Sequence, residues 1–213
     1  MQLRFSVLIL LTSLAAFPVI IDQIAILVDR QIIKESDIIR EVRVTDFLNH
    51  DPLNLSLTAQ KKAADRLIDQ AFIRHEISLG DYAVATFQDA DAELSRLEKE
   101  RYKTQAALQE SLRGYGLTVP DLRYTFRWQL TVLRFIDVRF KPAVVVTDDE
   151  INQYYNSHLQ ALRRAHPSGY SLEDLRSFIH DTLVSEKVNQ RFFAWLDEQR
   201  QDAKIQFLEA NLR

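Results

Sequence analysis

The chain has no cysteine, so neither a disulfide framework nor thiol chemistry is open to it. Its core alone must hold the fold. Glycine and proline are scarce, four and five among 213 residues. That argues against a turn-rich all-β protein and for long helices. Charge of one sign is not in excess: the formal net charge is −3, which leaves no nucleic-acid footprint. The 46% hydrophobic and 27% charged content is that of an ordinary globular chain, not a disordered one. The length suits one modest domain or two small ones. The uncharged apolar run Phe5–Phe17 is too short to cross a bilayer comfortably, which takes about 20 residues.

That run has a different reading. Arg4 precedes it, and Ser13, Leu14 and Ala15 supply small residues at the spacing of a cleavage site. The order of charge, apolar run and small residues predicts a secretory signal peptide over residues 1–15. The competing reading is an N-terminal strand or buried helix. Export would leave residues 16–213 as the mature protein, with no membrane span after cleavage.

The rest of the chain reads as mainly α. Gln23–Val28 and Gln31–Ile33, split by Asp29 and Arg30, predict a small hairpin. Ser36 is the expected N-cap of the next helix, with Asp37 favourable at its positive end. Thr58–Leu79 carries an apolar face of Leu67, Ile68, Ala71 and Phe72, and Gly80 stands where a C′ glycine would end it. Further helices are expected through Asp89–Tyr102, after Thr104, from Thr147 with Glu150 as a capping box, and over Leu172–Arg200 behind Ser171. The segment Lys141–Val146 reads as extended, and Ala165–Tyr170 as a break. Ala203–Leu208 alternates Ile205 and Phe207 with polar neighbours, the pattern of a short strand. This strand is expected to pair with Gln23–Val28 and to leave Trp195 buried.

The helix Thr118–Phe140 holds the candidate binding residues. At 100° per residue, Leu122, Phe126, Leu130, Leu133, Ile136 and Phe140 form one stripe. Tyr124, Trp128, Phe135 and Val138 form a second on the opposite side, with Arg123, Arg127 and Arg134 on the flank. A helix apolar on two sides is either sandwiched between layers, the commoner case, or turns one side to a ligand. Tyr124, Trp128, Phe135, Arg127 and Arg134 are therefore the peptide-binding candidates. Tyr124, nearest the helix start, is expected to be the exposed member and Trp128 a buried one.

No residue set predicts catalysis. The five histidines, His50, His75, His158, His166 and His180, show no metal-ligand pairing, so no metal or cofactor is expected. His180, Asp181 and Ser185 are the residue types of a triad, but neighbours on one helix point about 100° apart. Asp148, Asp149 and Glu150 fit first-turn capping better than a cation site. Nucleotide-loop and nucleophile-elbow motifs are absent from the sequence.

Several segments, in order, resemble the SurA-type periplasmic chaperones. Ile21–Asp37 (IDQIAILVDRQIIKESD) is similar to the family's opening motif, and Arg66–Gln70 to part of its second helix. Thr104–Leu133 follows its pattern of short helix, glycine break and aromatic, basic helix. Val146–Ile151 with Tyr154 and Tyr155 resembles the approach to its isomerase region. Phe192–Leu208 (FFAWLDEQRQDAKIQFL) resembles its C-terminal helix and strand. The family carries parvulin prolyl-isomerase domains in the middle, and Asn156–Tyr170 leaves no room for one. The resemblance implies a single chaperone domain over 16–213, its N-terminal part (16–156) joined to the C-terminal helix and strand (171–208). It further implies a periplasmic location and unfolded polypeptides, above all outer-membrane proteins, as partners. A family member with residual prolyl-isomerase activity and a structural subunit of an envelope assembly are the alternatives.

Overall fold

A computed structural model describes residues 22–165, 168 and 170–212. The expected signal peptide, residues 1–15, lies outside them, as does part of the expected break around Pro167 and Gly169.

The fold begins and ends in one small antiparallel sheet. Strand β1 (Ile24–Val28) turns through Asp29 and Arg30 into β2 (Gln31–Lys34), and β3 (Ile205–Phe207) pairs with the other edge of β1. Ile26 stands opposite both Ile33 and Phe207. Asp29 takes the left-handed conformation (φ 52°) that so tight a turn requires. It also holds the C-terminal segment: its amide donates to the Lys204 carbonyl (3.0 Å), and its carboxylate accepts from the Lys204 amide (2.9 Å). The expected pairing of the C-terminal strand is therefore present.

Seven α-helices carry most of the described residues: α1 (Glu35–Asn49), α2 (Leu57–Leu79), α3 (Phe87–Leu97), α4 (Gln105–Gly114), α5 (Val119–Arg139), α6 (Asp148–Ala165) and α7 (Leu172–Asp202). The protein is mainly α with a small β element. Local signals set most boundaries. Thr104 accepts from the Ala107 amide, Thr118 pairs with Asp121 across three residues, and Thr147 does the same with Glu150. Each satisfies amides that the first helical turn leaves free.

Three local expectations need correction. Ser36 is not the N-cap of α1. That position falls to Lys34, whose amide donates to Asp37, because β2 runs straight into the helix. Ser36 sits in the first turn and donates its amide and hydroxyl to Asp22 (3.2 and 2.6 Å), an acceptor fourteen residues upstream. Gly80 ends α2 in an extended conformation rather than a left-handed one. Its lack of a side chain serves a close approach, since a Cβ there would lie 2.4 Å from the Tyr82 ring. Lys141–Ala143 forms a 3₁₀ turn before the chain extends.

The core has three parts. The main one joins the sheet, α1, α2, the second half of α5 and the end of α7, through Ile26, Ile38, Ile68, Phe135, Phe140 and Trp195. A second, around Phe47, Leu108, Leu112 and Leu122, joins α1, α4 and the start of α5. A third, Ile151, Leu162, Leu175 and Ile179, lies between α6 and the first half of α7. Trp195, with 7% of its surface accessible, is buried as expected and packs its ring against Phe135 and Phe140 at 5.6 and 5.9 Å.

Helix α5 passes from the second core to the first, and this changes the stripe reading. Leu122 is fully buried in the second core, but Leu133, on the same face farther along, is 59% accessible. The second core ends before the helix reaches Leu133. Phe135 is the opposite case. Only 1% of it is accessible, and Tyr82, Phe140 and Trp195 surround its ring, so it is a core residue and not a binding candidate. Among the described residues, no helix is long and apolar enough to cross a membrane.

Candidate functional site: the cleft between α2 and α5

The extended link from Gly80 to Thr86 runs alongside α5 and is pinned to it. Arg127 donates Nε to the Ala85 carbonyl (2.9 Å), Thr131 accepts from the Ala85 amide (3.0 Å), and Arg134 donates to the Val84 carbonyl (3.2 Å). These contacts satisfy backbone groups that neither helix nor sheet can reach. Arg134 also pairs with Asp89 at 3.0 Å. The Thr86 amide and hydroxyl, with Arg134, hold the Asp89 carboxyl below the usual carboxylate range. Arg134, a candidate from sequence, is therefore occupied in holding the link and the start of α3.

What remains open is a cleft of about 390 Å³ between α2 and α5, with Val84 of the link at its edge. It is lined by Arg74, Ile77, Ser78, Val84, Tyr124, Arg127, Trp128 and Thr131. A second cleft, of about 360 Å³, opens on the other side towards α1 and β2 and shares Arg74, Tyr124 and Trp128. Those three residues form a saddle between the two clefts.

The saddle alternates cations with rings. The Arg74 guanidinium lies 4.5 Å above the centre of the Trp128 ring, within range of a cation–π contact. Arg123 and Arg127 both stand 4.7 Å from the Phe87 ring, which meets Tyr124 edge-on at 5.3 Å. Arg123 is further fixed by Asp91 through two hydrogen bonds, 2.5 and 2.7 Å, and that pairing keeps the Asp91 carboxyl below its usual range. Tyr124 is 63% accessible and Trp128 half-buried against the main core. Tyr124 thus lies at the surface as expected, whereas Trp128 is less enclosed than expected because it lines both clefts.

The structure brings Tyr124, Trp128 and Arg127 together, withdraws Phe135 into the core and assigns Arg134 to the link. Arg74 and Phe87 complete the site, and sequence reasoning missed both. Arg74 stands next to the buried run Ala71–Ile73 on α2, one turn above Gln70, and only the crossing of α2 and α5 places it at Trp128. Phe87 could have been found as the first residue behind the Thr86–Asp89 capping box.

The arrangement suits binding by ring stacking, hydrogen bonding and charge. Among the described residues, no group of three or more His, Asp or Glu side chains could hold a metal ion. His180 and Asp181 touch at 3.1 Å on the exposed face of α7, but the Ser185 hydroxyl donates to the Asp181 carbonyl. That serine is tied to its own helix rather than to the imidazole. No protein-family model matches the chain, and neither does any curated protein.

Proposed function

We propose that the protein is a periplasmic chaperone module of the SurA type that binds unfolded polypeptide and carries no isomerase activity. The observation that carries this reading is the open saddle of Tyr124, Trp128 and Arg74, where aromatic surface is left at a cleft instead of being closed into the core. Rigid aromatic rings offer a large contact area at low entropy cost, and guanidinium groups add hydrogen bonds to carbonyls and acidic groups. The order of the sequence motifs supports it too, as does the closing of the N-terminal hairpin by the C-terminal strand. Outer-membrane proteins in transit are the proposed clients.

The test is suppression of aggregation when a denatured outer-membrane barrel protein is diluted out of urea. Wild type should suppress it in proportion to its concentration, and Tyr124→Ala should suppress it less at an unchanged melting temperature. A prolyl-isomerisation assay beside it should show only the intrinsic exchange, which takes tens to hundreds of seconds. Undiminished aggregation with the wild-type protein would remove the reading.

A further inference from the structure

Among the described residues, nine arginines meet a carboxylate within 4 Å. Along α5, Arg123 pairs with Asp91, Arg134 with Asp89 and Arg139 with Glu76. Arg127, between them, has no carboxylate within 4 Å among the described residues, and its only side-chain hydrogen bond is the one from Nε to Ala85. Arg74 also lacks one: it donates to Gln70 and stacks on Trp128. The carboxylates whose charge reaches it, Asp37 and Glu41, are paired with Arg40 and Arg66. Packing strips water from the Arg74 guanidinium and draws its pKa below the usual arginine value, although the group stays charged. The α2–α5 cleft is thus lined by two arginines and no acidic residue, beside two aromatic rings.

A partly desolvated cation with no carboxylate in contact is costly to keep, and a ligand carboxylate compensates it through charge-assisted hydrogen bonds. We infer that the α2–α5 cleft is a carboxylate-recognition site, in which Arg74 and Arg127 receive an acidic side chain of a bound polypeptide and Trp128 and Tyr124 receive its apolar neighbour. This rests on the client-binding reading above and specifies its ligand. The two clefts share Arg74, Tyr124 and Trp128, but Asp37 and Glu41 line the second one, so an acidic side chain is favoured on the α2–α5 side. The protein's own net charge of −3 disfavours long-range capture of polyanions, so discrimination must arise at short range in this cleft.

The test uses three labelled decapeptides of extended, Ala- and Ser-rich sequence, followed by fluorescence anisotropy. One carries a central Phe-Glu pair and blocked ends. The second carries Phe-Gln and blocked ends, and the third Phe-Gln and a free C-terminal carboxylate. The Phe-Glu peptide should bind roughly tenfold more tightly than its blocked Gln counterpart, the scale of one charge-assisted contact. Arg74→Gln, which disturbs no ion pair, should erase most of that preference at an unchanged melting temperature. Arg74→Lys should retain part of it, and the distant Arg113→Gln all of it. Equal binding of all three peptides overturns the inference but leaves client binding standing. So does a preference confined to the free terminus, or one that survives Arg74→Gln. If no peptide binds and barrel-protein aggregation also goes unsuppressed, the client-binding reading fails and this inference with it.

Discussion

At the scale of the residue, Trp195 and Tyr124 differ sharply in burial. Trp195 is enclosed by Phe135, Phe140 and Phe192 with Arg139 across its face, so truncation leaves a void that several rings cannot fill. Trp195→Ala should cost about 3–5 kcal/mol in a urea melt. An unchanged midpoint would contradict the packing. Tyr124 is the contrast. Its exposed ring leans on Phe87 alone among the aromatic rings of the described residues. Tyr124→Ala should change stability by no more than about 0.5 kcal/mol, as surface substitutions usually do, while weakening client capture. The third case is Gly116. Its φ of 64° is strained for any residue with a side chain, and an added Cβ would meet Arg43 Nη1 at 2.1 Å. Gly116→Ala should therefore destabilise the α4–α5 turn, where Arg43 donates to the Gly116 carbonyl at 3.0 Å, and the loss would appear as a lower melting temperature.

At the scale of the element, the C-terminal strand closes the sheet but brings a misplaced charge with it. Glu209, two residues past β3, donates its amide to the Ala25 carbonyl, while its Oε1 is buried without a partner among the described residues. Burial, and then the Glu35 carboxylate, raise its pKa above the usual carboxylate value. A group that holds its proton more tightly in the folded chain contributes stability at low pH, and that contribution is lost as pH rises through the folded value. Asp22, Asp89, Asp91 and Glu150 run the other way: their values are lowered, so their contributions disappear as pH falls. Comparing Glu209→Gln with wild type at each pH isolates the one group. The variant should melt higher than wild type near pH 8, with the gain shrinking towards acid, and a constant offset would refute the assignment. Elements such as this strand were readable in the sequence because their signals are local: alternation at Ile205 and Phe207, capping boxes at Thr118 and Thr147. Ser36 misled because its acceptor, Asp22, comes from another part of the chain. The stripes of α5 misled because a helical wheel assumes one partner along the whole length, and α5 changes partner between Leu122 and Phe135. The candidate site was half readable for the same reason. Tyr124, Trp128 and Arg127 share one helix, whereas Arg74 and Phe87 arrive from others.

At the scale of the whole molecule, α7 belongs to two bodies. Its second half contributes Val188, Phe192, Trp195 and Leu196 to the main core, while Leu175 and Ile179 in its first half pack with α6 and Val146 in a separate cluster. Among the described residues, three polar contacts tie α6 and the segment before it to α7: Lys187 to Glu150 at 2.6 Å, Lys187 to the Val145 carbonyl at 2.7 Å, and Arg176 to Asp148 at 2.7 Å. All three involve exposed or half-exposed groups, and such pairs are individually worth little. Among the described residues the hairpin core has four buried members, against twenty in the main cluster, so the hairpin should open at a lower free energy than the body. Both tryptophans, Trp128 and Trp195, lie in the body, so their fluorescence reports it separately from the hairpin. Ile179→Asp places a charge at the fully buried centre of the hairpin core. It should remove helical signal in the far-ultraviolet circular dichroism corresponding to α6 and the first half of α7. Tryptophan emission and its urea midpoint should stay close to wild type, and hydrogen exchange should quicken over residues 148–183 while α2 and α5 remain protected. Simultaneous loss of helicity and tryptophan signal would show instead that the hairpin and the body fold as one cooperative unit. In that case the saddle at Arg74 and Trp128 would depend on the hairpin for its stability.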